Sequence, residues 1–331
     1  MPGADFDAWF LALADPAPGK PVPSLPAGLD PQRLVDLADR HGVLPAVARR
    51  LRLLGTAEPA VATALAVAEE RLLRGLAFAL RIRMQLAPIA AALAEAGLPA
   101  LVVKGPEFAD RLYAEPALRP FTDLDLLLPR EALGEAGALL GRLGYCRCPE
   151  PPSKYRGSYG EEMWVLDEPG TGAVELHWNL VNSPPLRRRC SVGFGDLALE
   201  PPKAGALPQA TPASLLLIAA VHAATSHRFD RLQPLADACQ AARGAAGPVD
   251  AVWLADAAAR TGSALALATA LRLAQALFRE PACSELLART PGLTQAVRRG
   301  RWLLSPRAVL HSKSPAARAR RQLFRELLKR R

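Results

Sequence analysis

Apolar residues at helical spacing dominate the first 95 residues of the chain. In residues 30–41 they recur at intervals of three and four, directly after Asp30 and Pro31. Aspartate is a favoured N-cap and proline is tolerated at the first helical position, so this segment predicts a short amphipathic helix. A second stretch, residues 60–96, is rich in Ala, Leu and Arg and predicts one long helix. Residues 1–95 are therefore predicted to form an N-terminal helical region.

The pattern changes over residues 96–205, where short apolar runs alternate with shorter helical segments. Short apolar runs bounded by turn residues are typical of buried strands. The predicted order is strand, helix, strand, helix, strand and hairpin, at residues 100–103, 106–113, 123–128, 131–143, 145–148, and 163–166 with 174–180. We therefore expect an α+β fold, with a small mixed β-sheet core flanked by N-terminal and C-terminal helical regions.

Helical spacing returns at Thr211, which can cap a helix that begins with Pro212. The predicted helices cover about residues 211–222, 232–243, 249–261 and 264–278. We expect residues 206–297 to form a C-terminal helical domain and residues 298–331 to form a separate tail.

Charge is concentrated in that tail. The net charge is +9, and residues 298–331 contain 12 Lys and Arg against a single Glu. Overall basicity is therefore no argument for nucleic-acid binding by the whole chain. Leu323, Phe324, Leu327 and Leu328 form an apolar stripe within the tail, which is typical of a basic amphipathic helix. Such a helix can dock on its own domain or fray, and nucleic acid, an anionic lipid surface or an acidic partner are the alternatives.

The apolar segments are short. The longest uncharged one, residues 213–221, is well below the roughly 20 residues that span a bilayer. The first ten residues lack the basic and apolar regions of a signal peptide. We expect a cytoplasmic protein that does not span a membrane.

Candidate chemistry lies on two of the predicted strands. Residues i and i+2 of a strand point to the same face, so Asp123 and Asp125 project together while the leucines between and after them enter the core. In the later strand, Glu175 and His177 share one face in the same way. If the two strands are neighbours, three carboxylates converge. Convergent carboxylates with substrate phosphates are a common Mg²⁺ site, and Mn²⁺ is the alternative ion.

Four segments together resemble a known family. They are LVVKGPEFADRLY (101–113), RPFTDLDLLL (119–128), GY (144–145) and ELHW (175–178), with a looser similarity through HAATSHRFDRLQPLAD (222–237). This set is similar to the bacterial uncharacterised nucleotidyltransferase family, within the DNA polymerase β-like nucleotidyltransferase superfamily.

The resemblance implies roles for the acids. Asp123 and Asp125 match the metal-binding pair, and Glu175 matches the third carboxylate, which would ligate the catalytic metal and help to deprotonate the acceptor. The superfamily usually has a Gly-Ser turn before the helix that precedes the aspartates, whereas this chain has Lys104 and Gly105. Gly105 allows close backbone approach to phosphate at a helix N-terminus, and Lys104 adds positive charge there.

Other polar residues have two interpretations each. Arg119 can pair with the aspartates or contact phosphate, and His177 can orient a substrate or be an ordinary strand histidine. Lys154, Tyr155 and Arg156 lie in a polar loop that is either solvated or able to close over a substrate. A set on the C-terminal side can face the acceptor or form a buried polar network: His222, His227, Arg228, Arg231 and Asp237.

The functional prediction is an enzyme. We expect a Mg²⁺-dependent nucleotidyltransferase that moves an NMP from an NTP to a small-molecule, peptide or protein acceptor and releases pyrophosphate. One alternative is an inactive nucleotide- or partner-binding module of the same fold, although an inactive protein would be expected to lose at least one of the three acids. A structural or nucleic-acid-binding protein that uses the basic tail would leave those acids unexplained.

Overall fold

The computed structural model describes residues 4–17, 19–22, 24–150, 157–168, 170–201, 203, 205–300 and 302–329. Over the described part of the first 95 residues the chain forms α1 (Ala4–Ala14), α2 (Pro31–Arg40), α3 (Leu44–Leu54) and α4 (Pro59–Glu95). The middle of the chain contains β1 (Leu101–Val102), α5 (Gly105–Leu112), β2 (Asp123–Leu127), α6 (Leu133–Arg142), β3 (Cys146–Arg147), β4 (Glu161–Val165), β5 (Ala173–His177) and α7 (Pro184–Arg187).

The remainder is helical. It contains α8 (Pro212–Thr225), α9 (Gln233–Ala242), α10 (Ala251–Arg260), α11 (Ala264–Phe278), α12 (Pro281–Arg289), α13 (Leu293–Gly300), α14 (Pro306–Leu310) and α15 (Pro315–Leu328). The mixed α+β architecture with flanking helices is the fold predicted from the sequence. Its division into separate domains stays a prediction.

Two of the predicted helix caps are confirmed. The Asp30 carboxylate accepts a hydrogen bond from the Arg33 backbone N–H, and the Thr211 hydroxyl accepts one from the backbone N–H of Ser214. Helix α3 was not predicted, because Gly42 ends α2 and a new helix starts immediately afterwards. Pro45 in its first turn is the signal that could have revealed it.

Among the described residues, the strands form one five-stranded sheet in the order β1-β2-β5-β4-β3. The central strands β2 and β5 are parallel, whereas the other neighbours are antiparallel. β4 and β5 form the predicted hairpin. The parallel pairing brings together two strands that are separated along the chain by α6, β3 and β4, and this pairing creates the candidate site.

Two apolar cores support the sheet. The larger one is shared by the N-terminal helices, α8, α9, α11 and one face of α5. The smaller one lies between the sheet and helices α4 and α6. Leu124, Leu126, Val174 and Leu176 are completely buried in the smaller core, so the opposite face of β2 and β5 is left for polar side chains.

Helix α4 contributes to both cores. By length and composition its 37 residues are sufficient to cross a membrane, although charged residues divide the segment into short uncharged runs. In the structure Ile82 and Ile89 are buried against the sheet. The Gln85 amide between them donates to the Tyr145 hydroxyl and to the Gly172 carbonyl, and it accepts from the Gly172 N–H. One face of α4 is therefore fixed to the folded domain.

The basic tail also docks on the rest of the chain. The Phe324 ring of α15 is completely buried and packs edge-to-face against Phe229 at a centroid distance of 5.5 Å. The Arg321 guanidinium donates to the Ser312 carbonyl, and the Arg325 guanidinium donates to the Ser183 hydroxyl. Of the alternatives considered for the tail, the structure shows the first: helix α15 docks on the rest of its own chain.

Candidate active site

The site starts from the register of the two parallel central strands. Asp125 on β2 lies directly opposite Glu175 on β5, and Leu127 lies opposite His177. Paired residues of adjacent strands point to the same face, and so do residues two apart. The structure therefore brings Asp125, Glu175 and His177 together on the face that the apolar core leaves open.

His177 is the centre of the resulting network. Its Nε2 atom is 2.9 Å from Asp125 Oδ1 and 3.3 Å from Glu175 Oε2, and its Nδ1 atom is 3.3 Å from Asn182 Oδ1. Burial alone would lower the pKa of His177, but the hydrogen bonds to the two carboxylates prevail and raise it to about 10. In this arrangement the imidazole is a cation that balances the neighbouring acids.

Lys104 supplies a second positive charge. Its Nζ atom lies 2.5 Å from Asp125 Oδ1, and both side chains are largely buried. Burial would raise the pKa of Asp125, yet the Lys104 ammonium and the His177 imidazolium hold it below the usual range. The pKa of Lys104 is raised, because its charge is stabilised by Asp125, Asp123 and Glu175 despite the burial that opposes it.

The backbone at Lys104 is strained. Its φ of 67° and ψ of −149° fall in a region that is populated mainly by glycine. Gly105 follows with a φ of 41°, and a Cβ atom there would lie 3.3 Å from the carbonyl oxygen of Asp123. The two residues make the tight entry into α5 that the sequence predicted, and they place the start of the helix against the backbone of Asp123.

Asp123 lies at the edge of this cluster. It is two residues from Asp125 on β2 and is half-buried. Burial, together with the repulsion from Asp125, raises the pKa of Asp123 to about 6. Its predicted role as a metal ligand stays a prediction, because the most compact group of donor atoms is formed by other residues.

That compact group can hold a metal ion. One donor atom from each of Asp125, Glu175 and His177 lies within 4.8 Å of the others. The second oxygen of Asp125, Oδ2, is buried without a hydrogen-bond partner. A buried, unpartnered carboxylate oxygen is costly in a protein, and a cation would satisfy it. Two carboxylate oxygens suit a divalent cation, and the His177 nitrogen becomes a third ligand only if the imidazolium gives up its proton.

Arg119 pairs with Asp237 rather than with the aspartates of β2. Its Nε and Nη2 atoms donate to the two Asp237 oxygens at 2.8 and 2.9 Å, and Nη1 donates to the Gly105 carbonyl at 3.3 Å. The Tyr113 hydroxyl also donates to Asp237, at 2.7 Å. Asp237 is only 1 % exposed. This network would have to open before Asp237 could contact an acceptor or Arg119 could contact a phosphate.

The remaining residues of the predicted acceptor side lie at the end of α8 and just beyond. The rings of His222 and His227 meet edge-to-face with centroids 4.6 Å apart. Burial, followed by the nearby Lys104 charge, holds the pKa of His222 well below its usual range, so its imidazole is neutral. Arg231 is more exposed and contacts Asp230 at 3.3 Å. Lys154, Tyr155 and Arg156 lie outside the described residues.

Sequence reasoning did not identify three residues of the site. Glu161 Oε2 lies 3.6 Å from His177 Nδ1 and accepts a hydrogen bond from Asn182, and Tyr113 supports Asp237. Glu161 pairs with His177 across the antiparallel β4–β5 ladder, so the hairpin register would have revealed it. The predicted hairpin strand begins at residue 163, two residues after Glu161, so this acid lies outside the prediction.

Comparison with known proteins agrees with the motifs. A family model described as uncharacterised nucleotidyltransferase matches residues 27–279, which include the sheet, the acidic cluster and most of the helices on both sides. No curated protein and no solved structure matches the chain.

Proposed function

The chain belongs to the uncharacterised nucleotidyltransferase family, and we propose that it moves a nucleoside monophosphate from an NTP to an acceptor and releases pyrophosphate. The observation that supports this most strongly is the register of β2 and β5, which places Asp125 and Glu175 side by side on a buried polar face. Acids from two separate segments converge there beside the N-terminus of α5.

The transfer makes and breaks one bond to phosphorus. An oxygen of the acceptor attacks the α-phosphorus, the bond from that phosphorus to the bridging oxygen of the β-phosphate breaks, and pyrophosphate leaves. The acceptor hydroxyl loses its proton to a carboxylate, for which Glu175 is the candidate. Its side chain is 17 % exposed and therefore more accessible than Asp125, which is 1 % exposed.

Asp125 and Glu175 would hold the metal ion, with Asp123 and His177 beside them. We propose Mg²⁺, with Mn²⁺ as a substitute, because carboxylates and phosphate oxygens are the donors these ions prefer. A bound ion would supply charge neutralisation for the triphosphate and would make the attacking oxygen a better nucleophile.

Lys104 and Gly105 are the candidate phosphate-binding residues. The N-terminus of an α-helix attracts anions, and α5 begins at Gly105 within reach of the acids. Among the described residues, four residues other than glycine have a positive φ, and Lys104 is the one that lies in the N-terminal half of the chain. Strained backbone conformations are typical of functional sites. We propose that the strain at Lys104 is retained because its ammonium group binds the triphosphate.

The acceptor side is proposed to lie across from α5, at the end of α8. A neutral His222 beside His227 offers ring nitrogens that can hydrogen-bond to a hydroxyl of a small molecule, peptide or protein. Arg231 lies on the exposed rim of this surface, where it could contact an anionic group.

The test uses two labels on the same nucleotide. Each NTP, labelled with ³²P at either the α- or the γ-phosphate, is incubated with the protein, Mg²⁺ or Mn²⁺, and a cell extract as the source of acceptor. Transfer of the α-label to a macromolecule or small molecule, with the γ-label released as pyrophosphate, is the expected result. Asp125→Asn should abolish the transfer.

The control variant is Glu162→Gln, which removes a carboxylate on the opposite face of the neighbouring strand β4, where it pairs with Arg147. It should retain activity. Transfer of the γ-label would indicate a phosphotransferase instead. NTP binding without release of either label, with every nucleotide and metal, would support the inactive binding module.

A further inference from the structure

Helix α4 exposes a continuous apolar stripe on the side that faces away from the sheet. Leu73 is 60 % exposed, Leu80 is 53 % exposed and Met84 is 74 % exposed. Small residues continue the stripe, and the full set is Leu73, Ala77, Leu80, Met84, Ala87 and Ala91, each of which is exposed. No described residue of the chain covers it.

The spacing of the stripe is the heptad spacing of a coiled coil. Its members follow one another at intervals of four, three, four, three and four residues. From Leu73 to Ala87 the four intervals average 3.5 residues, which keeps an apolar seam facing a partner helix. The seam extends over about 27 Å of helix. A helix that only needed to cover its own core would not require a second regular seam on its solvent side.

The residues that flank the seam indicate what covers it. With Leu73 and Leu80 at the d positions, Glu69 is a g position and Arg74 is the e position of the next heptad. In a parallel pair of identical helices, a residue at g contacts the residue at e in the next heptad of the other helix. Glu69 would therefore contact Arg74 of the partner subunit, and symmetry would give two such contacts. Both residues are exposed, and the ion pair that Arg74 makes with Glu70 of its own helix, at 3.6 Å, lies on the surface and would compete with the contact only weakly.

The alternatives are less favourable. An antiparallel pair along the same seam would bring the Arg81 side chains of the two subunits close together, which is repulsive. Insertion of the seam into a bilayer would place the exposed Arg74 and Arg81 in a low-dielectric medium at high cost. Leucine at d is also a preferred residue in parallel two-stranded coils.

We propose that α4 is a dimerisation helix, and that two copies of this chain associate through a parallel seam from Leu73 to Ala91. The proposal is independent of the catalytic chemistry, because the seam lies on the face of α4 opposite the buried Ile82 and Ile89.

The first test is the mass of the full chain in solution, measured by light scattering and by sedimentation equilibrium. The wild type is expected to be a dimer, and Leu80→Glu and Met84→Glu are expected to be monomers with unchanged circular dichroism. Val252→Glu changes an equally exposed apolar residue on α10 and should remain a dimer. A monomeric wild type, or a dimer unaffected by both seam variants, would overturn the proposal.

A charge exchange tests the predicted pairing. Glu69→Arg or Arg74→Glu alone should weaken dimerisation by about tenfold, because each creates two like-charge contacts. The double variant should restore the wild-type dissociation constant. Failure of the double variant to recover would contradict the parallel register.

A cross-link tests the orientation directly. Ala91→Cys, in a background in which the exposed Cys146 is replaced by serine, should form an intermolecular disulfide in a parallel dimer. In an antiparallel arrangement along the same seam, each cysteine would face Leu73 of the partner subunit, and the two cysteines would lie about 27 Å apart along the helices. A dimer that does not cross-link there would contradict the parallel arrangement. A monomer that floats with vesicles of neutral lipid, and loses this binding in Leu80→Glu, would identify a membrane surface as the occupant instead.

Discussion

Arg119 and Asp237 form a bidentate ion pair that joins the segment before β2 to helix α9. Both hydrogen bonds are shorter than 3 Å, and the two side chains are 5 % and 1 % exposed. Because Arg119 also donates to the Gly105 carbonyl, the pair links a helix of the C-terminal region to the turn that begins α5. The conformation of that turn therefore depends on a residue far away in the sequence.

Asp237→Asn is expected to destabilise the protein and to weaken nucleotide binding together. Removing one partner of a buried ion pair leaves an uncompensated charge and costs about 3 kcal/mol or more of unfolding free energy. Urea unfolding measures the stability, and titration with a fluorescent NTP measures the affinity. Tyr113→Phe removes one hydrogen bond to the same carboxylate and should cost only about 1 kcal/mol. Equal effects of the two variants would show that the Arg119 contact is unimportant.

Asp125→Asn is expected to lower Mn²⁺ affinity by at least about 100-fold, since it removes a buried oxygen donor from the compact group. Isothermal calorimetry on the wild type and on the variant gives the two dissociation constants, and a thermal melt verifies that the variant is folded. Glu162→Gln is the matched control, with its carboxylate on the opposite face of the sheet. Unchanged Mn²⁺ binding in Asp125→Asn would place the metal elsewhere.

Replacement of Lys104 should separate backbone strain from side-chain function. Lys104→Gly and Lys104→Ala both remove the ion pair with Asp125, but only glycine adopts a φ of 67° without strain. The glycine variant should therefore be more stable than the alanine variant by about 1 kcal/mol. Both should lose NTP affinity to a similar degree. If alanine is as stable as glycine in urea unfolding, the backbone at this position is not strained in solution.

The apolar contact of the tail can be tested with two adjacent residues. Phe324→Ala removes a ring that is completely buried against Phe229 and should cost about 3 kcal/mol. Leu323 is 56 % exposed, and its replacement by alanine should change stability by less than about 0.5 kcal/mol. Chemical denaturation of the two variants makes the comparison. Equal stabilities would mean that α15 is not docked in solution.

Stability should decrease between pH 6.5 and about pH 4 because of His41. Burial lowers the pKa of this histidine to about 4, and its Nε2 atom lies 3.2 Å from the Leu310 carbonyl. Between these pH values the unfolded chain binds a proton that the folded protein excludes, so acidification favours unfolding by up to about 3 kcal/mol. His41→Gln should show a shallower dependence of unfolding free energy on pH. Parallel pH curves for the variant and the wild type would rule this contribution out.

The sequence was sufficient to predict the faces of the strands but not their pairing. Alternation alone placed Asp123 and Asp125 on one polar face, and Glu175 and His177 on another. The parallel register that joins Asp125 to Glu175 depends on a crossover through α6 and two further strands, and no local signal determines it. The family resemblance supplied the reason to expect that these strands are neighbours.

The polar network around Asp237 shows a second limit. Arg119 and Asp237 are separated by 118 residues, and each has oppositely charged residues nearer to it in the sequence. The sequence suggested that Arg119 pairs with the aspartates or with phosphate. The packing of α9 against α5 brings the Asp237 carboxylate to the Arg119 guanidinium. Such helix–helix contacts depend on the complete apolar surfaces of the helices and not on a local motif.

The cations at Lys104 and His177 have a further consequence for how the protein is made and handled. Since internal positive charge already offsets the acids, we expect the polypeptide to reach its native shape without a divalent ion, and a chelator such as EDTA should lower its melting temperature only by the amount that ion binding adds. Catalytic competence would then be a property that the finished molecule gains and loses reversibly, as the supply of ions and nucleotide in its surroundings rises and falls.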